Sequence, residues 1–247
     1  VCAIYSTFSQ RAFDQIVHDC AIQRLGVVFA MDRAGLVGAD GPTHHGAFDL
    51  SYLRLIPHMT IMVPKDEQEL RDMLYTATRV AGKQIDEPSG LKRSEGPIAI
   101  RYPRGAGVGV PLAAKGFREL PVGVGEMMRD GSDIAIVGVG PILYEAMKAA
   151  EDLEREGISV AVANARYAKP LDSDLLDGIA ARFRHVVTIE ENTVLGGFGS
   201  AVAEYYASHH ARPESVTIMG IPDEFIEHGA PALLAKSIGL TREGIAE

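Results

Sequence analysis

The 247-residue sequence has no tryptophan and only two cysteines. Cys2 and Cys20 both stand among apolar neighbours, which reads as small core residues and leaves no disulfide framework. That usage favours a reducing, cytoplasmic compartment. No apolar run approaches the roughly 18 residues that would cross a bilayer, and no signal peptide is expected. Positive charge is also short: 24 Lys and Arg against 33 Asp and Glu give a net −9, which argues against a general nucleic-acid surface but leaves room for a local arginine cluster that holds an anion. A G-x-x-x-x-G-K-[ST] phosphate loop is missing. What remains is an ordinary globular balance, 47% apolar and 23% charged, with enough material for a real core.

Against this background one stretch stands out, Asp32-Arg33-Ala34-Gly35-Leu36-Val37-Gly38-Ala39-Asp40-Gly41-Pro42-Thr43-His44-His45-Gly46. It follows the apolar run Val27–Met31, which reads as a buried strand, and its four glycines and one proline exclude regular helix or strand. Open α/β sheets bind ligands at such strand ends. The loop carries a cation, two carboxylates and two imidazoles, the side chains of anion and proton chemistry. Asp40, His44 and His45 could be metal ligands, but no helix fixes their spacing and no second ligand cluster exists, so acid–base or hydrogen-bonding roles are better supported. Asp32 can hold the loop through backbone amides.

The rest alternates β and α patterns. Val1–Tyr5 reads as the middle of a buried strand, as though the chain were an excerpt of a longer polypeptide. Ser6 or Thr7 can cap a helix whose apolar face is Phe8, Phe13, Ile16, Val17 and Cys20. A short helix ends at Pro57, a strand covers 59–63, and Asp66 caps a helix running to about Val80. Residues 82–96 read as a long polar loop. Ile98–Tyr102 is a strand that delivers Arg104 to its end, where a planar guanidinium suits phosphate or carboxylate. A linker at 106–121 separates a domain at 1–105 from one at 122–247, where strands at 134–140, 158–162, 185–189 and 216–219 alternate with helices, the first of them starting at Pro141. The fold class is therefore α/β, two domains each built on a mostly parallel sheet flanked by helices.

Two further features bear on ligands and contacts. Gly196-Gly197-Phe198-Gly199 follows a strand, but its spacing is not that of a dinucleotide loop and Glu190-Glu191 would repel a diphosphate, so it reads as a tight turn that allows close packing. His228 reads as structural or as a subunit contact. Tyr5, Arg33 and Arg104 each end a strand; along one sheet edge, two guanidiniums and a phenol would make a phosphate clamp.

The motifs Tyr5-Ser-Thr-Phe-Ser-Gln-Arg11, Asp32 to His44, Phe48-Asp-Leu-Ser-Tyr-Leu-Arg, Arg101-Tyr-Pro-Arg-Gly105 and Gly220-Ile-Pro-Asp-Glu-Phe225 closely resemble the 1-deoxy-D-xylulose-5-phosphate synthases of the transketolase superfamily. The resemblance covers nearly the whole chain. It implies a transketolase-like pyrimidine-binding domain plus a transketolase C-terminal domain. It implies a transferase that uses thiamine diphosphate (thiamine pyrophosphate) and Mg2+ to condense pyruvate with D-glyceraldehyde 3-phosphate, releasing carbon dioxide. The product feeds isoprene, thiamine and pyridoxal synthesis.

On that resemblance, Tyr5, Arg33 and Arg104 contact the aldehyde's phosphate, Phe8 packs on the cofactor's pyrimidine with Arg11 nearby, and Asp40 and His44 serve the pyruvate-derived intermediate and its proton transfers. It also implies a homodimer. The family's metal–diphosphate motif and its ring-activating glutamate have no counterpart in this sequence, so the isolated chain is expected to be catalytically silent. Transketolase itself, a 2-oxo-acid dehydrogenase β subunit and a non-catalytic pairing subunit remain the alternatives.

Overall fold

The computed structural model describes residues 1–86 and 92–247. Its strands are β1 (Cys2–Tyr5), β2 (Val28–Ala34), β3 (Thr60–Met62), the short pair β4 (Ile85–Asp86) and β5 (Lys92–Arg93), β6 (Ile98–Pro103), β7 (Glu126–Arg129), β8 (Ile134–Gly138), β9 (Val160–Asn164), β10 (Tyr167–Lys169), β11 (His185–Thr193) and β12 (Ser215–Ile221). Its helices are α1 (Ser6–Ser9), α2 (Phe13–Gln15), α3 (Asp49–Arg54), α4 (Glu67–Ala81), α5 (Leu143–Arg155), α6 (Ser173–Ala180), α7 (Phe198–Ser208), α8 (Pro231–Ser237) and α9 (Arg242–Ala246). Two five-stranded sheets result, ordered β1-β2-β6-β3-β10 and β12-β11-β8-β9-β7. All neighbours are parallel except β10 on β3 and β7 on β9, the antiparallel edges.

The continuous apolar runs of β6, β8 and β9 suit strands covered on both faces. α4 shows how local chemistry places an element. Asp66 caps it by accepting from the Glu69 amide, and Met73, Ala77 and Val80 lie on one face against Val28, Met62 and Ile100. α5 and α9 cover the outer face of the second sheet. Facing residues of both sheets, Met31, Ile61 and Ala99 with Val137, Ala161 and Val186, join a single core together with α3, α6 and α7.

Four expectations need correction. β1 is an edge strand, so Val1, Cys2 and Ala3 are exposed rather than buried, and Cys20 is only half-buried. Neither Ser6 nor Thr7 caps the first helix. Tyr5 occupies the cap position, and the Thr7 hydroxyl instead donates to the Thr43 carbonyl, 3.0 Å away in the 32–46 loop. Residues 82–96 are not all loop, because β4 and β5 pair antiparallel within them; 87–91 lie outside the described residues. The helix expected at Pro141 begins at Leu143, with Pro141 in the preceding turn. β7 and β10 are additions, and β10 carries the second half of the chain into the first sheet.

The segment between β6 and β7 has no helix or strand, yet it is fastened down. Glu67 accepts the Val108 and Gly109 amides, Gln68 the Ala113 amide, Asp72 the Arg118 amide and Thr76 the Leu120 amide. Arg71 donates to the Ala113 and Gly116 carbonyls. These positions share one face of α4, which zips the segment along the helix.

Candidate active site

The site is built at the carboxyl ends of β1, β2 and β6. Parallel pairing sets Tyr5 opposite Asp32, and the β2–β6 register shifts between Met31 and Ala34. At that irregularity Arg33 takes a φ of 62°, a left-handed conformation that costs a non-glycine residue on the order of 1–2 kcal/mol. The Asp32 carboxylate holds the turn by accepting the Arg33 amide at 2.7 Å, as expected from sequence. The strained backbone lays the Arg33 guanidinium over the Tyr5 ring, 4.0 Å from its centroid.

Asp40 lies between two cations. Its Oδ2 is 3.7 Å from Arg33 Nη1 and 3.7 Å from Arg104 Nη1. Arg104 also donates to the Val37 carbonyl at 3.4 Å. Phe8 stacks on Tyr5 at 5.3 Å, and the His44 ring meets Phe8 edge-on at 5.6 Å. His44 Nδ1 and the Thr43 hydroxyl are 2.9 Å apart. Tyr5, Phe8, Arg33, Asp40, His44 and Arg104 thus form one continuous set of contacts. Arg11 does not join it: it sits on the exposed side of the helical turn Gln10–Ala12.

His45 is buried and structural. Its Nδ1 accepts the Val37 amide at 3.1 Å and its Nε2 faces the Glu227 carbonyl at 3.3 Å, the pattern of a neutral ring with its proton on Nε2. Among the described residues, no group of three or more His, Cys, Asp or Glu is arranged to hold a metal ion.

The second half of the chain closes over this loop. Gly229 donates to the Gly38 carbonyl at 3.3 Å, and a cavity of about 480 Å³ is lined by Val37, Arg104, His228 and Pro231. A second cavity of about 460 Å³ shares Arg104 with the first and is also lined by Arg33, Tyr102, Asp66 and Leu70. Beneath, Asp49 and Arg101 make a buried ion pair. Neither His228's place beside Arg104 nor this pair is legible in the sequence.

Glu190 also takes a role that the sequence did not reveal. It is fully buried and its carboxylate accepts the Phe198 and Gly199 amides at 2.7 and 2.8 Å, closing the start of α7. A Cβ on Gly197 would lie 2.2 Å from Glu190 Oε2, so the glycine run is a close-packing turn. Burial pushes the Glu190 carboxyl up to about 7 against the pull of those amides and of Arg101 and Arg54. Burial likewise raises Glu191, opposed by Arg101.

The transketolase pyrimidine binding domain matches residues 1–107, and the transketolase C-terminal domain matches 123–245. A solved structure titled "Split gene transketolase, inactive beta4 tetramer" superposes with a TM-score of 0.81 at 31% identity, covering 99% of this chain and 73% of that one. The chain belongs to the transketolase family. It is 49% identical over its whole length to a 1-deoxy-D-xylulose-5-phosphate synthase of Rippkaea orientalis and 51% identical to that of Chlorobaculum tepidum. The synthase of Aquifex aeolicus is 50% identical over 99% of the chain. The chain spans 36–37% of the length of these relatives. No helix among the described residues is long and apolar enough to cross a membrane.

Proposed function

We propose that this chain supplies the pyrimidine-facing and phosphate-holding side of a thiamine-diphosphate-dependent synthase that joins pyruvate to D-glyceraldehyde 3-phosphate, giving 1-deoxy-D-xylulose 5-phosphate and carbon dioxide. The observation that carries the reading is the arrangement of Arg33 and Arg104 on either side of Asp40, beside Tyr5 and His44. In a chain of net charge −9, this local pair of guanidiniums shares one carboxylate, Asp40, among the described residues. A dianionic phosphate would restore the balance, and the two planar forks suit its oxygens.

The exposed face of Phe8 fits an aminopyrimidine ring, so Phe8, steadied by Tyr5, would hold that part of the cofactor. When bound, thiamine diphosphate supplies the nucleophilic carbon and the electron sink for decarboxylation. His44 has its Nδ1 engaged by Thr43, which leaves Nε2 to hold or move a proton over the substrate. Asp40, fixed between the arginines, would orient a substrate hydroxyl. Arg11 is assigned to an outer polar contact. Mg2+, the cofactor's diphosphate and the ring-activating carboxylate are assigned to portions of the protein other than this chain. Homodimeric assembly and a cytoplasmic location belong to the same reading.

The test is Arg104→Ala in the enzyme that contains this chain. KM for D-glyceraldehyde 3-phosphate should rise by about 10- to 100-fold, the value of one charge-assisted phosphate contact, while KM for pyruvate stays within about twofold. Equal effects on both substrates would remove the phosphate assignment, and turnover of pentose phosphates in place of pyruvate would favour a transketolase activity.

A further inference from the structure

Arg101 stands in an apolar strand, is 3% exposed, and uses its guanidinium in three directions. Nε lies 2.9 and 3.0 Å from the two oxygens of Asp49, itself fully buried at the start of α3. Nη2 donates to the Gly46 carbonyl at 3.1 Å and to the Glu191 carbonyl of β11 at 3.0 Å. Gly46 is the neck of the loop that carries Asp40 and His44. Gly35 and Gly46 exchange both backbone hydrogen bonds, each 2.8 Å, and so close residues 35–46 into an Ω-loop. The neck is fully occupied: a Cβ on Gly46 would lie 2.3 Å from the Arg33 carbonyl, and one on Gly35 would lie 3.1 Å from Glu191 Cβ.

We propose that Arg101 is a positioning residue for the active-site loop. It locks the neck at Gly46 to β11 in the second half of the chain and to β6, the same strand end that presents Arg104. The Asp40–Arg104 and Asp40–Arg33 separations, and the height of His44 over Phe8, then follow from one buried guanidinium. A buried ion pair contributes little net stability compared with apolar residues of the same volume, so packing alone does not call for one. Only an arginine can meet a carboxylate and two carbonyls from three different segments with one planar group. The link to catalysis rests on the reading of this loop as the aldehyde-phosphate loop; the anchoring of the loop does not.

Two variants separate the roles. Arg101→Lys keeps a charge beside Asp49 but loses the fork. Arg101→Met combined with Asp49→Leu removes both charges together and leaves no buried ion alone. In each, amide exchange at Val37, His44 and His45 should accelerate by about tenfold or more relative to the unchanged amides of Ile98, Ala99 and Ile100. In the enzyme that contains the chain, KM for D-glyceraldehyde 3-phosphate should rise about tenfold with pyruvate KM unchanged. Loop amides that keep their rate in Arg101→Lys, or loop and sheet amides that accelerate together in both variants, overturn the proposal. A loosened loop with an unchanged aldehyde KM confirms the anchor and removes the substrate reading of the loop instead.

Discussion

At the scale of single residues, buried carboxyls decide how the chain responds to pH. Glu190 titrates near 7 in the folded chain because burial outweighs its two amide donors, against 4.5 when exposed. The folded state therefore keeps a proton that the unfolded state has already released. The stability held by this group is complete below about pH 4.5 and is lost as pH rises to about 7. Glu191, raised by the same cause, acts in the same direction. Glu126 is lowered by its Lys65 and Arg166 partners, so its loss falls on the acid side and outside this window. Glu190→Gln cannot ionise, and should gain stability relative to the parent by on the order of 2 kcal/mol between pH 5 and pH 7.5. Urea midpoints at the two pH values measure it; a difference that does not change with pH would mean that Glu190 is ionised throughout.

At the scale of elements, the 35–46 loop depends on glycines that admit the second half of the chain. Gly41 has a φ of 68°, and a Cβ there would lie 3.1 Å from His228 Cβ. Gly41→Ala should cost about 1–3 kcal/mol from the left-handed conformation plus the contact. Gly178 is the opposite case: it lies within α6 with open space around it, so Gly178→Ala should stabilise by about 0.5–1 kcal/mol. Denaturant titration of both variants should give opposite signs.

The elements also differ in how far they could be read in advance. α4 showed itself through its cap and its spacing, and the 32–46 loop through its glycines and mixed charges. β7 and β10 did not, because strands of four and three residues carry too few positions for a period, and β10's partner lies more than a hundred residues away in sequence. Arg101 was invisible for a related reason: an arginine in a strand looks like a surface residue until tertiary structure brings Asp49 beneath it. The convergence of Tyr5, Arg33 and Arg104 was legible because parallel topology places strand ends on one edge, whereas Arg11, a turn further along, falls outside that edge.

At the scale of the molecule, the two sheets behave as one body because charged residues and a strand cross between them. Arg166, at a φ of 60°, donates from Nε to Glu69 of α4 at 2.7 Å and from Nη2 to Glu126 of β7. Lys65 completes the group at 3.2 Å from Glu69 and 2.8 Å from Glu126. Asn164 donates to both Glu69 oxygens at 3.1 Å. Directly after Arg166, β10 enters the first sheet, and the Lys169 ammonium donates to the Arg54 and Ile56 carbonyls at the end of α3. Arg54 in turn reaches across to the Gly196 and Gly197 carbonyls and to Glu204. Removing the Arg166 charge leaves Glu69, whose side chain is 1% exposed, with Lys65 as its remaining cation. Arg166→Met should therefore cost about 3–5 kcal/mol, the penalty for breaking a buried pair from one side. Because the sheets share β10 and a common core, this loss should not be confined to the second half of the chain. Amide exchange of Ile98–Ile100 in the first sheet and of Ile134–Val137 in the second should accelerate by the same factor, and melting should remain a single transition. Acceleration limited to Ile134–Val137, or a melt that splits in two, would show that the sheets unfold independently despite the strand they share.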